Sequence, residues 1–516
     1  MALYQNLRIE EKMFFKPRLH IGLAPIAVLT LIFHWGMPEK IQAEPPALPQ
    51  GLEEDASASD GDNEANSGDG PALPSGLGEP DEQEGPDLPS GLGDEADETE
   101  ASASAEKDTV PLRRAWREHV IGFWEVRGGF RTRADPHEKD ESLGEMRLQL
   151  EADYTWHGVT FAGRVDFVYD PVLDHHDVNM NTGEGWLDLR EASVNFTPMP
   201  FMDVVAGRQI LTWGTGDFLF LNDMFPKDYR SFFIGRDVEY LKAPSDAVKV
   251  SMYSDIANLD VVYTPRFDHD RIVRGWRLSS FRGGRFRGRD AILDVNEPDD
   301  WFTDDEIAMR LHKRIAGLEL AAYGYRGFWK SPGGRDPQGQ AIFPELNVYG
   351  ASVRGTIKSG IANAEVAYYD SVEDRDGDDP RINNDELRFL AGYKRDLPMV
   401  ARDFSLGLQY YLEWMQDYEA YERSLPPGTP EDDEYRHVVT CRLRKQFFRQ
   451  TLTPSLFTFY SPSGDDAYLR PQVNWDVTND WTLSAGANLF FSEDDHTAYG
   501  RFKRNTNVYA SLRYSF

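Results

Sequence analysis

The sequence predicts a closed, antiparallel, transmembrane-type β-barrel of about eighteen strands, and three observations point to it. From Val120 to Phe516, apolar residues recur at every second position in segments of about 10–13 residues. Aromatic residues collect near the ends of these segments, where a barrel meets the membrane–water interface. The connections alternate between short turns and long polar loops, as in single-chain barrels with one tight-turn rim and one loop rim.

The clearest segment is Met146 to Trp156. Met146, Leu148, Leu150, Ala152, Tyr154 and Trp156 share one face, and Arg147, Gln149, Glu151, Asp153 and Thr155 the other. His157-Gly158 turns the chain, and Phe161, Gly163, Val165, Phe167 and Tyr169 renew the apolar face. Phe404 to Trp414 and Trp481 to Phe491 repeat the pattern, which is poorest in 185–198 and 247–265. Short turns fall near 157–158, 198–200, 255–258, 315–317, 358–360, 396–403, 448–450 and 478–480. Long loops fall near 134–142, 171–184, 214–246, 267–303, 331–344, 372–384, 418–433, 462–466 and 492–505. Eight turns and nine loops join eighteen strands, which puts both ends of the barrel on the short-turn side.

Two segments precede the barrel, which spans 118–516. Residues 1–43 place Arg8, Lys12, Lys16 and Arg18 before an apolar run from Ile21 to Met37, then end on Ile41-Gln42-Ala43. That order predicts a cleaved export signal. Residues 44–117 read as a disordered acidic periplasmic tail. Between Glu44 and Asp108 twenty acids face one base, a net charge of −19. Within the tail Leu48-Pro49-Gln50-Gly51-Leu52 recurs as Leu73-Pro74-Ser75-Gly76-Leu77 and Leu88-Pro89-Ser90-Gly91-Leu92. Each copy sets two leucines about a Pro-x-Gly turn, so Leu48, Leu52, Leu73, Leu77, Leu88 and Leu92 are expected to bind a periplasmic protein with avidity. A low-complexity expansion without a partner is the plainer alternative.

Composition excludes other classes. The chain has 87 acids against 55 bases, a net charge of −32, which argues against nucleic-acid binding. Cys441 is the one cysteine, so there is no internal disulfide or cysteine-based metal site. No Gly-x-Ser-x-Gly elbow or suggestive Ser/His cluster points to an enzyme. No cofactor or metal is expected. Asp174-His175-His176-Asp177 are neighbours on an irregular loop, and 374–379 lacks the closing Glu of a calcium loop.

Eighteen strands enclose enough space for an aqueous channel, whose inward positions should be polar. Opposite the apolar faces lie Arg147, Arg164, Arg310, Arg388, Arg442, Arg444 and Arg470, with Arg208 expected inward too. Glu151, Asp153, Asp166, Glu191 and Glu413 are also inward. Cross-strand pairing is the structural role of such charges. The excess of arginine predicts a lumen that favours anions.

Loop 214–246 is too aromatic to remain free in water. It is expected to fold into the barrel as a constriction built on Phe218 and Phe225, with Lys227, Arg230 and Arg236 standing in the pore. A cap over the mouth is the alternative. Residues 271–289 hold seven arginines with Trp276, Phe281 and Phe286, which suits an anionic glycan or the phosphates of lipopolysaccharide.

The stretch Val205-Ala206-Gly207-Arg208-Gln209-Ile210-Leu211-Thr212-Trp213-Gly214 resembles the G-R-Q…W-G segment of outer-membrane porins, the alginate-export family in particular. That resemblance implies an eighteen-stranded barrel with an arginine-rich pore passing an anionic polysaccharide, and it carries over Gly207, Arg208 and Gln209. The triplicated tail departs from that family. The final strand, ending Tyr514-Ser515-Phe516, resembles the signal read by barrel-assembly machinery. The expectation is an outer-membrane channel or export porin in contact with lipopolysaccharide. One alternative is a barrel coupled through its tail to an inner-membrane pump for hydrophobic cargo. Another is a plugged structural or adhesive barrel.

Overall fold

The computed structural model of the chain describes residues 120–516. The export signal and the tail repeats, with Leu48, Leu52, Leu73, Leu77, Leu88 and Leu92, lie outside the described residues.

Eighteen strands form one antiparallel sheet. In chain order they are β1 Val120–Arg131, β2 Glu141–Trp156, β3 Val159–Tyr169, β4 Leu187–Met199, β5 Met202–Ile210, β6 Pro244–Met252, β7 Asn258–Thr264, β8 Glu306–Ile315 and β9 Leu318–Phe328. Then follow β10 Glu345–Ile357, β11 Gly360–Ser371, β12 Glu386–Asp396, β13 Phe404–Met415, β14 Tyr435–Lys445, β15 Leu452–Ser461, β16 Asp466–Asp476, β17 Trp481–Ser492 and β18 Asn507–Ser515. Each strand pairs with its neighbours in sequence, and β1 also pairs with β18, from Phe123↔Ser515 to Arg131↔Asn507. Closure leaves no sheet edge unpaired. The last residue takes part: Gly122 and Phe516 exchange backbone hydrogen bonds of 3.0 and 2.9 Å.

The strand count and the alternation of turns and loops match the sequence expectation. His157-Gly158 and Ala316-Gly317 both take positive φ, the backbone that two-residue hairpins need to follow the twist of their strands. The weak alternation in β4 has a physical cause. Its pairing slips between Arg164 and Val165 and again between Phe196 and Met199, so its residues change face mid-strand.

Cross-strand pairs build the outer face, for example Met146↔Tyr169, Leu148↔Phe167 and Leu408↔Cys441. Trp124, Phe161, Leu311, Leu483 and Leu512 are all exposed there. An apolar belt of this extent is stable against hydrocarbon, not against water. Aromatic pairs such as Trp414–Tyr435 and Trp481–Tyr514 stand at strand ends. The hydrophobic core lies inside the wall, around the chain between β5 and β6.

Candidate functional site, the lumen and its inserted segment

The chain from Leu211 to Ala243 leaves β5, enters the barrel and returns to β6. Its first half docks on one side of the wall. Asn222 donates to Glu365 of β11 at 2.7 Å, and Asn363 donates to the Thr215 carbonyl at 2.8 Å. The Tyr369 hydroxyl donates to the Leu221 carbonyl at 2.6 Å, while the Asp217 amide donates to Gln409 of β13 at 3.1 Å. Gly350 of β10 leaves room for Asn222, whose Oδ1 lies 1.7 Å from where a Cβ would stand.

The second half docks on the other side. A short helix, α1 (Tyr229–Ile234), is capped by the Asp228 side chain, which accepts from the Ser231 amide at 2.8 Å. It ends at Gly235, φ +85, where any side chain would collide with the Tyr509 ring. Phe232 and Phe233 pack on Tyr468 of β16, and Phe233 also on Phe490 of β17. Asp237 receives Arg127 of β1 at 3.0 Å and also pairs with Arg513 of β18. The Tyr240 ring lies under Arg147 and Arg190, at 4.2 and 4.8 Å, and its hydroxyl accepts from Gln149 at 3.0 Å. The segment therefore bridges the lumen from β11–β14 to β1–β4 and β16–β18.

The expected constriction residues are all in this segment. Phe218 sits against Phe457 and beneath Arg442, each near 4.7–4.8 Å, and is held at φ +63, a strained backbone for a bulky residue. Phe225 packs edge-on against Trp213 at 4.9 Å. The three cations expected to stand in the pore are each paired. Lys227 turns into the segment, to Asp223 at 2.9 Å and the Phe225 carbonyl at 2.7 Å. Arg230 reaches Glu184 at 2.6 Å, and the Arg236 Nε reaches Glu145 of β2 at 2.9 Å. A charge drawn this far from water is stable only when paired.

Arg271, from the loop 265–305, locks three parts together. It donates to Asp188 of β4 at 2.9 and 2.8 Å and lies 3.6 Å from Asp228. Burial opposes the Asp228 charge, but Arg230, Arg271 and Arg236 outweigh it and hold its pKa below the usual value. Burial pushes the pKa of Asp217 up against the pull of Arg442 and Lys394.

Seven of the eight arginines expected in the lumen share the inner face. Arg147 pairs with Glu145 and Asp166, Arg164 with Glu151, Arg310 with Asp260, and Arg388 with Glu386 and Glu413. Arg442 meets Asp217 at 2.8 Å, and Arg470 lies over Phe232 at 4.0 Å. Arg444 stands opposite Ser405 and Ser455 on the same face. Arg208 is a correction. It lies opposite Ala192 and Asp246, the parity of exposed Val248 on the outer face. There it pairs with Asp246 and donates to the Met180 carbonyl at 2.8 Å. Beside it Gly207 has φ +118, and a Cβ there would stand 2.4 Å from the Ala192 carbonyl oxygen.

Inner-face charge is unevenly spread. Lys394, Arg442, Arg444 and Arg470 gather on β12, β14 and β16, with Asp217 and Asp396 as the acids beside them. Glu151, Asp153 and Glu191 gather with Arg164 on β2–β4, across the ring. Glu145, Glu365 and Gln409 also face inward. Nothing in the sequence showed that they hold the inserted segment. Among the described residues no group of three His, Cys, Asp or Glu is placed to hold a metal ion.

No family model matches the chain, and no curated relative matches it. Solved structures are similar in outline. Pseudomonas aeruginosa OccK11 (OpdR) aligns at TM-score 0.46 and 11% identity, over 77% of this chain and 95% of that one. Acinetobacter baumannii OccAB1 aligns at 0.44 and 11%, over 77% and 96%. Salmonella typhi OmpF in complex with daunomycin aligns at 0.38 and 8%, over 77% and 97%. Likenesses this distant carry no argument about what this chain passes, and they do not show the alginate-export resemblance.

Proposed function

We propose that the chain is an outer-membrane channel that passes a small or thread-like anionic solute along the basic wall. One observation carries the reading. The short-turn half of the lumen is lined by charged, part-exposed side chains, and it leads to three cations gathered about Arg442, which itself pairs with Asp217. A water-filled vestibule ending at concentrated positive charge favours entry of anions. The inserted segment narrows the path, and the wall charge selects. The mechanism is passive, with direction set by a gradient.

A plugged barrel is the second reading, and the buried aromatic packing of Phe232 and Phe233 against the wall favours it. Conductance and reversal potential of the full chain in a planar bilayer under a salt gradient separate the two. Anion-selective current supports the channel, and absence of current in the intact protein sinks it. Coupling to a periplasmic partner through the three tail repeats is a separate proposal resting on the sequence. Deleting 44–108 and finding transport unchanged in cells would refute it.

A further inference from the structure

Of the seven arginines between 271 and 289, three pair with acids of the protein and a fourth donates to a backbone carbonyl. Arg271 meets Asp188, Arg277 meets Asp170, Arg289 meets Glu138 and Asp174, and Arg274 donates to the Leu293 carbonyl at 3.1 Å. The other three lie on a two-stranded ribbon, Ser280–Arg282 with Arg285–Arg287, turned by Gly283 and Gly284 at φ +55 and +78. Its register sets Arg282 opposite Arg285 and Ser280 opposite Arg287. Side chains alternate along a strand, so Arg282, Arg285, Arg287 and Ser280 share one face. Phe281 and Phe286 form the other face, packed at 5.5 Å, with Arg504 over Phe286 at 4.2 Å.

This arrangement is unfavourable in isolation. Like charges directly opposite each other weaken a ribbon. Among the described residues, none of the three guanidiniums has a carboxylate within salt-bridge reach. The buried Nε of Arg282, Nε of Arg287 and Oγ of Ser280 have no hydrogen-bond partner. Arg282 spends one amino group on the Ala291 carbonyl at 2.9 Å. Burial lowers its pKa, and the charges of Arg287 and of Arg335, from the loop 329–344, lower it further against a weaker pull from Asp290. Elsewhere the buried Arg127, Arg147, Arg190, Arg271 and Arg277 meet acids and Arg470 lies over aromatic rings; the ribbon arginines have neither, which calls for an anion from outside.

We propose that the face formed by Ser280, Arg282, Arg285 and Arg287 binds a phosphate group at the loop end of the barrel. Phosphate fits better than a carboxylate. It carries up to two charges and several acceptor oxygens, which suit converging guanidinium forks and a hydroxyl. The phosphate belongs either to a lipid headgroup or to a soluble phosphorylated solute. The site stands whether or not the lumen conducts.

The test titrates inorganic phosphate into the full chain, folded in zwitterionic detergent, by calorimetry at constant ionic strength. The expected result is saturable binding, weakened about tenfold or more in R282Q/R285Q/R287Q and less in R285Q alone, whose exposed side chain leaves the fold intact. A control, R375Q/R381Q, removes two exposed loop arginines that pair with their own acids and should leave binding unchanged. Absence of binding, or equal weakening in the control, overturns the proposal. Displacement of phosphate by phosphatidic acid but not by phosphatidylcholine assigns the site to a lipid headgroup. Failure of both lipids to displace it assigns the site to a soluble phosphorylated ligand.

Discussion

The two halves of the lumen are built from the same alternating strands, yet they handle charge differently. In the loop half, Arg147 and Glu145 are 2% and 1% exposed, and the inserted segment covers them. In the turn half, the Arg164–Glu151 pair keeps 28% exposure on both partners. The first pair has been taken out of water and depends on its geometry. The second remains solvated and contributes little to stability. The same residue types thus act as a lock in one half and as a lining in the other. What separates them is where the apolar chain between β5 and β6 comes to rest.

Removing that segment should erase the contrast. Replacing 216–240 with a short Gly-Ser linker is expected to raise single-channel conductance several-fold. Unchanged conductance would mean that the narrow point lies elsewhere. Next in size is Arg271→Ala, which leaves Asp188 and Asp228 buried without their shared cation. Breaking a buried ion pair costs about 3–5 kcal/mol, so hydrogen exchange in 211–243 should accelerate and current should become noisy while the barrel stays folded. Phe233→Ala removes the ring lodged against Tyr468, Phe490 and Phe502, at a cost of about 3–5 kcal/mol for a full truncation, offset wherever the segment collapses into the gap. A lower denaturant midpoint for local opening is the expected readout.

A smaller effect sharpens the charge argument. Arg442→Glu with Arg444→Glu should move the reversal potential toward cation preference, whereas Arg147→Gln, deep in the locked half, should leave selectivity almost unchanged. The smallest effect is one of pH. Glu138, in the loop between β1 and β2, is raised to about 7 because burial outweighs the pull of Arg131 and Arg289. The folded loop therefore holds its proton more tightly than the unfolded chain. Its contribution to stability is full below the ordinary glutamate range and is lost as pH rises through about 7. Proteolysis of 132–140 should accelerate between pH 6 and 8, and Glu138→Gln should flatten that dependence.

Much of this was legible in the chain. Period-two alternation announced most strands, least clearly β4, β6 and β7, and turn chemistry such as His157-Gly158 announced the boundaries. The fate of 214–246 was legible too, because Phe218, Phe225, Phe232 and Phe233 together cannot remain in water. Arg208 lies outward because β5 pairs with β6 without a slip and Arg208 keeps the parity of Met202, Val204 and Ala206, an outward place that its charge alone did not suggest. That Lys227 turns back on Asp223 depends on a bend in the chain that no pattern of residue types encodes.

By itself, then, the sequence determined the closed wall, its outer belt, its eighteen strands and the inward fate of one aromatic segment, because each follows from local periodicity and from the cost of exposing apolar surface. The tertiary structure alone decided which carboxylate meets which arginine, which half of the lumen the inserted segment fills, and which ribbon face keeps its guanidiniums unmatched. Those outcomes depend on register around the ring and on contacts between residues more than a hundred positions apart, such as Arg127 with Asp237 and Asn222 with Glu365.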